Sequence, residues 1–177
     1  IAMLLVFAGA LATVVAQEKQ SFKVPILITS AGQSADVTLA GSLCKKANLE
    51  AKALPSALPA DLKGVNTLLI VPGFSSKGLG AAGTSKEDEM ERVKRLIAAA
   101  RSAKIPILVM HIGGMARRGA QSDDFNRTAV EAARQLIVVK QGNEDGFFTA
   151  LAAEHHVSIE VVDKIAGVLP PLTAAFK

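Results

Sequence analysis

The chain predicts one α/β domain, a three-layer sandwich with a mostly parallel sheet of five to six strands, flavodoxin-like or Rossmann-like. Three observations carry that expectation. Short, continuous apolar runs rich in β-branched residues recur along the chain, as they do in strands covered on both faces. Between them lie stretches whose apolar residues repeat at helical spacing. The alternation continues to the end of the chain, which implies crossover units joining parallel strands.

Residues 1–16 are almost wholly apolar and end in Val14-Val15-Ala16, before the polar Gln17, Glu18, Lys19 and Gln20. They read as the apolar region of a secretory signal cleaved after Ala16, because the run falls short of the ~18–20 apolar residues of a membrane span. The basic segment that opens such a signal is missing, and the chain begins at Ile1 rather than Met, so either upstream residues are lost or the sequence is a fragment. An uncleaved anchor is the alternative. A lipid anchor is not expected, since no cysteine follows the run. The expectation is an exported protein, periplasmic or extracellular, with a signal at 1–16, a single domain at 17–177 and no membrane contact after cleavage.

Half of the residues are hydrophobic, enough for one core, and a single cysteine excludes an internal disulfide. The net charge of +4 is mildly basic, but Lys and Arg are scattered along the sequence and Trp and Tyr are absent. No nucleic-acid partner is therefore expected.

Residues 24–29 form the first predicted strand, with Pro25 at its start, and 30–34 (Ser-Ala-Gly-Gln-Ser) form the turn after it. Val37, Ala40, Leu43, Cys44 and Ala47 then recur at helical spacing. Cys44 falls on the apolar stripe, so it reads as a small core residue rather than a reactive thiol. A second strand at 49–54 ends where Pro55 and Pro59 enforce a loop, and residues 61–64 turn into the central strand at 68–71.

After Pro72 comes a segment holding four glycines, Gly73, Gly78, Gly80 and Gly83. Two nucleotide motifs fail on it. Leu79 and Gly80 occupy the positions where a P-loop needs its Lys and its Ser or Thr. Gly78-Leu79-Gly80-Ala81-Ala82-Gly83 matches the dinucleotide fingerprint, but the intervening 73–77 displace it from the strand end. Thr84 with Glu87, or Ser85 with Asp88, caps the next helix after the last glycine. Glu87, Asp88 and Glu89 in its first turn would repel a pyrophosphate. No nucleotide or other cofactor is expected. The segment is read as an open loop whose backbone N–H groups, with Ser75, Ser76 and Lys77, suit a modest anion.

That helix carries Met90, Val93, Leu96, Ile97 and Ala100 on one face, and a strand at 107–110 delivers His111 to the same edge as the glycine segment. Gly113, Gly114, Arg117 and Arg118 follow. Paired arginines suit a carboxylate or phosphate. Their plain reading is a solvated basic turn. His111 is either a general base or a neutral imidazole bonded to nearby backbone. Ser122 is read as the cap of a helix running towards Leu136, with Asp123 in its first turn, followed by a strand at 137–140 and a polar loop at 141–146. A helix at 147–156, a strand at 158–162 and a closing segment at 164–176 complete the chain. The adjacent His155 and His156 mark a helix C-terminus and do not have metal-ligand spacing, so no metal site is expected.

The predicted strand order is 2-1-3-4-5-6, which brings residues 30–34 and 73–83 to one crevice. Five strings carry a resemblance: Ile28-Thr-Ser-Ala-Gly-Gln-Ser34, the segment 75–83, His111-Ile-Gly-Gly114, Ala116-Arg-Arg-Gly119 and Gly142-Asn-Glu-Asp-Gly-Phe147. In these the chain resembles a family of exported bacterial α/β domains with no assigned reaction. The resemblance implies the fold and export, and no chemistry.

Three functions follow as expectations. The first is an exported binding domain for a small polar, anionic molecule, using Ser30, Gly32, Gln33, Ser34, Gly73, Ser75, Ser76, Lys77, Gly78, Gly80, His111, Gly113, Gly114, Arg117 and Arg118. The second is a hydrolase or transferase pairing a loop serine with His111 and Asp123, although Lys77 stands where a G-x-S-x-G elbow needs glycine. The third is an interaction module using an apolar patch at 169–172. Oligomeric state is not predicted.

Overall fold

The computed structural model describes residues 22–177, so the leader expected at 1–16 lies outside the described residues. Six strands, β1 (Ile26–Ala31), β2 (Ala51–Ala53), β3 (Thr67–Pro72), β4 (Ile107–His111), β5 (Gln135–Val139) and β6 (Ser158–Val162), form one sheet in the order 2-1-3-4-5-6, every pair parallel. The predicted fold class and strand order are both borne out. Six helices accompany the sheet: α1 (Asp36–Lys46), α2 (Ser76–Ala82), α3 (Lys86–Ser102), α4 (Ala120–Ala132), α5 (Phe147–Glu154) and α6 (Leu169–Ala175).

Strand side chains alternate between two cores, as the pleat requires. Leu27, Leu68, Ile70, Val109, Leu136 and Val138 pack against α3, α4 and α5. Ile26, Ile28, Leu69, Val71, Leu108 and Met110 pack against α1 and α6. His111 continues the first alternation and so points under α5, where its ring meets Phe148. Cys44 is fully buried in the second core, and burial pushes its thiol up to about 11.

Element boundaries depart from the sequence reading where capping or pairing overrides pattern. β1 runs two residues later than expected, because Ser30 and Ala31 pair with Val71 and Pro72. Ser122 is not the cap of α4. Gly119 takes that place, with φ 95°, and the Ser122 hydroxyl accepts from the Phe74 N–H at 3.1 Å instead. α4 ends at Ala132 and β5 begins at Gln135, because Leu136 pairs with Val109. The closing segment forms α6, which buries Leu172, so the 169–172 stretch offers no continuous exposed apolar patch. Among the described residues no helix is long and apolar enough to cross a membrane.

Candidate functional site

The sheet's order reverses at β1 and β3: β1 leads to β2 on one side, β3 to β4 on the other. In open α/β sheets ligands bind in the crevice at such a point, outside the strands' carboxyl ends. Here the crevice walls touch. Gln33 and Phe74 form an antiparallel bridge, Ser75 N donates to Gly32 O at 2.8 Å, and a Cβ on Gly32 would stand 2.7 Å from Gly73 O. Only glycine permits that approach, and at φ 103° only glycine adopts it without strain.

Gln33 itself has φ 59°. The other non-glycine residues with positive φ, Asn48, Lys104 and His156, each follow a helix C-terminus, where the left-handed conformation is usual. Gln33 is held by tertiary contacts alone. Its amide donates to Glu89 Oε2 at 2.9 Å and to Ser56 Oγ at 3.1 Å. Ser30 Oγ accepts from Ser34 N, and Ser34 Oγ accepts from Asp36 N, which fixes the rest of the turn.

Beneath this turn lies an ion pair absent from the sequence reading. Glu89 and Arg92 of α3 are 1% and 7% exposed. Glu89 accepts from Gly32 N, Gln33 Nε2 and two Arg92 nitrogens, while Arg92 also donates to Ser30 O and Ala57 O. Burial alone would raise the Glu89 pKa, but the bonds from Arg92 and Gln33 outweigh it and hold the carboxylate below its usual range. A sequence signal existed: positions 89, 93, 96 and 100 share one helix face, so Glu89 lies on the stripe that carries Val93, Leu96 and Ala100.

The glycine-rich segment is a helix rather than an open loop. Ser75 caps α2 by accepting from Gly78 N at 3.1 Å, and Gly83 ends it in the left-handed conformation. Ser85, not Thr84, caps α3. Gly78 and Gly80 therefore have helical backbones. At Gly78 the reason is packing, since a Cβ there would lie 2.0 Å from Gln33 O. Ser76 and Lys77 are exposed on α2, away from the Gln33 turn and the arginines.

The two arginines differ sharply. Arg117 lies across the crevice, against Gly73 and Gly113, at both of which a Cβ would collide with its stem. Its Nε donates to Asp36 and its Nη1 to Phe74 O, both at 3.2 Å. Nη2 has no partner among the described residues, and the side chain is 24% exposed. Arg118 is 5% exposed and saturated, bonding Asp123, Asp145 and Gly142 O with its guanidinium 4.1 Å from the Phe147 ring centre. Those bonds, the one to Asp145 foremost, raise the Arg118 pKa, and Asp145 is held down to about 2 by Arg118 and the Phe147 N–H.

His111 is completely buried. Its Nε2 lies 3.1 Å from Arg117 O, its ring is 4.5 Å from that of Phe148, and Gly142 closes over it, a Cβ there standing 2.7 Å from Nδ1. Nδ1 has no partner. Burial lowers the His111 pKa despite the Arg117 carbonyl, so the imidazole is neutral and donates from Nε2. That is the backbone-bonded arrangement. No serine hydroxyl is hydrogen-bonded to His111, and no group of three metal-ligating side chains occurs, among the described residues.

The edge thus gathers Ser30, Gly32, Gln33, Ser34, Gly73, Ser75, Gly113, Arg117 and Asp36 into one connected network. Gly114, Arg118 and His111 form the adjoining layer under residues 140–146, and Ser76, Lys77 and Gly80 stand apart. Residues 23–176, the whole sheet with both helical layers, match one family model. The chain belongs to DUF6305, a domain of unknown function. No curated protein matches this DUF6305 domain. Among solved structures it is similar to AlinE4, an SGNH-hydrolase family esterase, at 12% identity and a TM-score of 0.31, over 86% of this chain and 93% of that one. It is also similar to a Schiff base-forming fructose-1,6-bisphosphate aldolase at 9% identity and a TM-score of 0.36, over 82% and 75% of the two chains. Likenesses this distant transfer no activity.

Proposed function

We propose that this domain binds a small anion at the carboxyl edge of β1, β3 and β4, with Arg117 as the anchor, and that it does so outside the cytoplasm. One observation carries the reading. Arg117 spans a glycine-walled crevice held by one carboxylate oxygen and one carbonyl, with Nη2 unpartnered and a quarter of the side chain open to solvent. A ligand carboxylate or phosphate gains two parallel bonds from a guanidinium where Asp36 makes one. The walls are held by buried contacts to Glu89 and Gln33, so little ordering accompanies binding. The export part of the reading rests on residues 1–16 alone.

A serine hydrolase is not carried forward, because the His111 imidazole is buried and its Nε2 is engaged by backbone. Thermal unfolding of residues 17–177 across organic acids, phosphates and sugar acids tests the proposal. A ligand at ~100 times its Kd stabilises by about 2.7 kcal/mol, a plain rise in Tm. Arg117→Ala should abolish the rise, and Asp36→Asn, which frees Arg117, should enlarge it. No response to any anion, or an equal response in Arg117→Ala, refutes the assignment.

A further inference from the structure

We infer that the opposite edge of the sheet is a docking surface for an anionic membrane. All six strands run parallel, so their amino ends share one edge, and the helices that return to them finish there. That edge collects Lys23 before β1, Lys45 and Lys46 in the last turn of α1, Lys104 after α3, Arg134 before β5 and Lys177 after α6, all exposed. Glu50 and Glu154 stand against these six, while Arg101 and Glu131 adjoin there and cancel. Lys63, four residues before β3, adds to the six, so the local excess is no smaller than the net charge of the whole chain, +4, and the rest of the molecule is close to neutral. Helix dipoles account for Lys45 and Lys46. Lys104, Arg134 and Lys177 each stand just past a helix C-terminus, where the same field favours a cation, whereas Lys23 follows no helix.

The chain also enters the domain at this edge. Phe22 N donates to Ala175 O, and the Phe22 ring lies 5.8 Å from that of Phe176 and 6.0 Å from the Arg134 guanidinium. The apolar run of residues 1–16 stands only residues 17–21 upstream, a tether of about 20 Å when extended. Retained as an anchor, that run brings lipid to the face where the positive charge is concentrated. Each cation close to an anionic lipid surface strengthens binding about fivefold. This orientation turns the Arg117 edge away from the membrane. The inference is independent of the anion site, which lies at the other end of the strands.

Residues 17–177 carry the whole sheet and both cores, and their sedimentation with phosphatidylglycerol and with phosphatidylcholine vesicles is the test. Binding to the first alone is expected, weakening as salt is added. Combined Lys45→Gln, Lys46→Gln and Lys104→Gln should weaken it roughly a hundredfold. Combined Lys86→Gln and Lys140→Gln, at the carboxyl side, should leave it unchanged. All five side chains lie on the surface, so unfolding curves will show both variants folded. Absent binding, equal binding to both vesicles, or equal loss in the two variants overturns the inference. So does duplex DNA competing better than phosphatidylglycerol, which would make the face a nucleic-acid surface.

Discussion

Glu89→Gln is the sharpest test of how this edge is held. The substitution conserves volume and removes one charge at a site 1% exposed. Four donors converge on the carboxylate: Gly32 N, Gln33 Nε2, and Nε and Nη2 of Arg92, all at 2.8–2.9 Å. A glutamine turns its own NH₂ towards two of them and leaves Arg92 buried without a counter-charge. Removing one partner of a buried pair costs about 3–5 kcal/mol, and a urea titration of residues 17–177 would read it as a lowered midpoint at unchanged slope. The double variant Glu89→Leu with Arg92→Met should be more stable than the two single costs would sum to, because it leaves no isolated charge. The acid limb supplies a second readout. The folded Glu89 pKa lies below its unfolded value, so its stabilisation is complete above about pH 4.5 and is lost as pH falls through the folded pKa. Glu89→Gln should lack that component of the loss. A cost under ~1 kcal/mol, or strict additivity in the double variant, would refute the claim that this pair holds the Gln33 turn.

Two neighbouring glycines should respond with opposite signs. Gly78→Ala forces a methyl against the Gln33 carbonyl and should cost about 1–3 kcal/mol, whereas Gly80→Ala meets nothing within 4 Å and should gain about 0.5–1 kcal/mol from helix propensity, both read from urea midpoints. Cys44, raised to about 11 by burial, should resist thiol reagents at pH 8 in the native protein and take up one equivalent in denaturant. Burial lowers the folded His111 pKa, so the unfolded chain binds the extra proton first. Stability should be complete above pH ~6.5 and fall below it by up to ~1.4 kcal/mol per pH unit until the folded pKa is reached, a slope absent in His111→Gln.

Strand identity and order were legible because four buried apolar runs, with shorter or more exposed ones at the two edges, alternate with helical periodicity and admit few topologies. The glycine segment misled because glycine signals both an open loop and a close contact. Only the position of the Gln33 carbonyl shows that Gly78 is the second kind. Arg117 and Arg118 were visible as a pair, but their partners were not. Asp36 lies 81 residues from Arg117, and Asp145 lies 27 from Arg118, distances over which no local pattern operates. Ser122 had the right chemistry for a helix cap and was drawn instead to the Phe74 N–H on another loop. The arginine and Ser122 misreadings share a cause: side chains at the carboxyl edge bond across loops, whereas capping and periodicity describe bonds within one element.

The adjacent arginines show why this edge must be probed one residue at a time. An anion seeking Arg118 would have to displace Asp123, Asp145 and the Gly142 carbonyl and then enter a site where the guanidinium is already stacked on Phe147. At Arg117 it displaces a single carboxylate contact at 3.2 Å, from a side chain with a free nitrogen. Two bonds made for one broken favours exchange, and five broken for two made opposes it. Arg118 is therefore the clamp that holds residues 140–146 over His111, and Arg117 is the group left available for chemistry from outside. A variant lacking both would lose the clamp together with the proposed anchor, and a missing ligand response would then report unfolding of the loop rather than loss of the site.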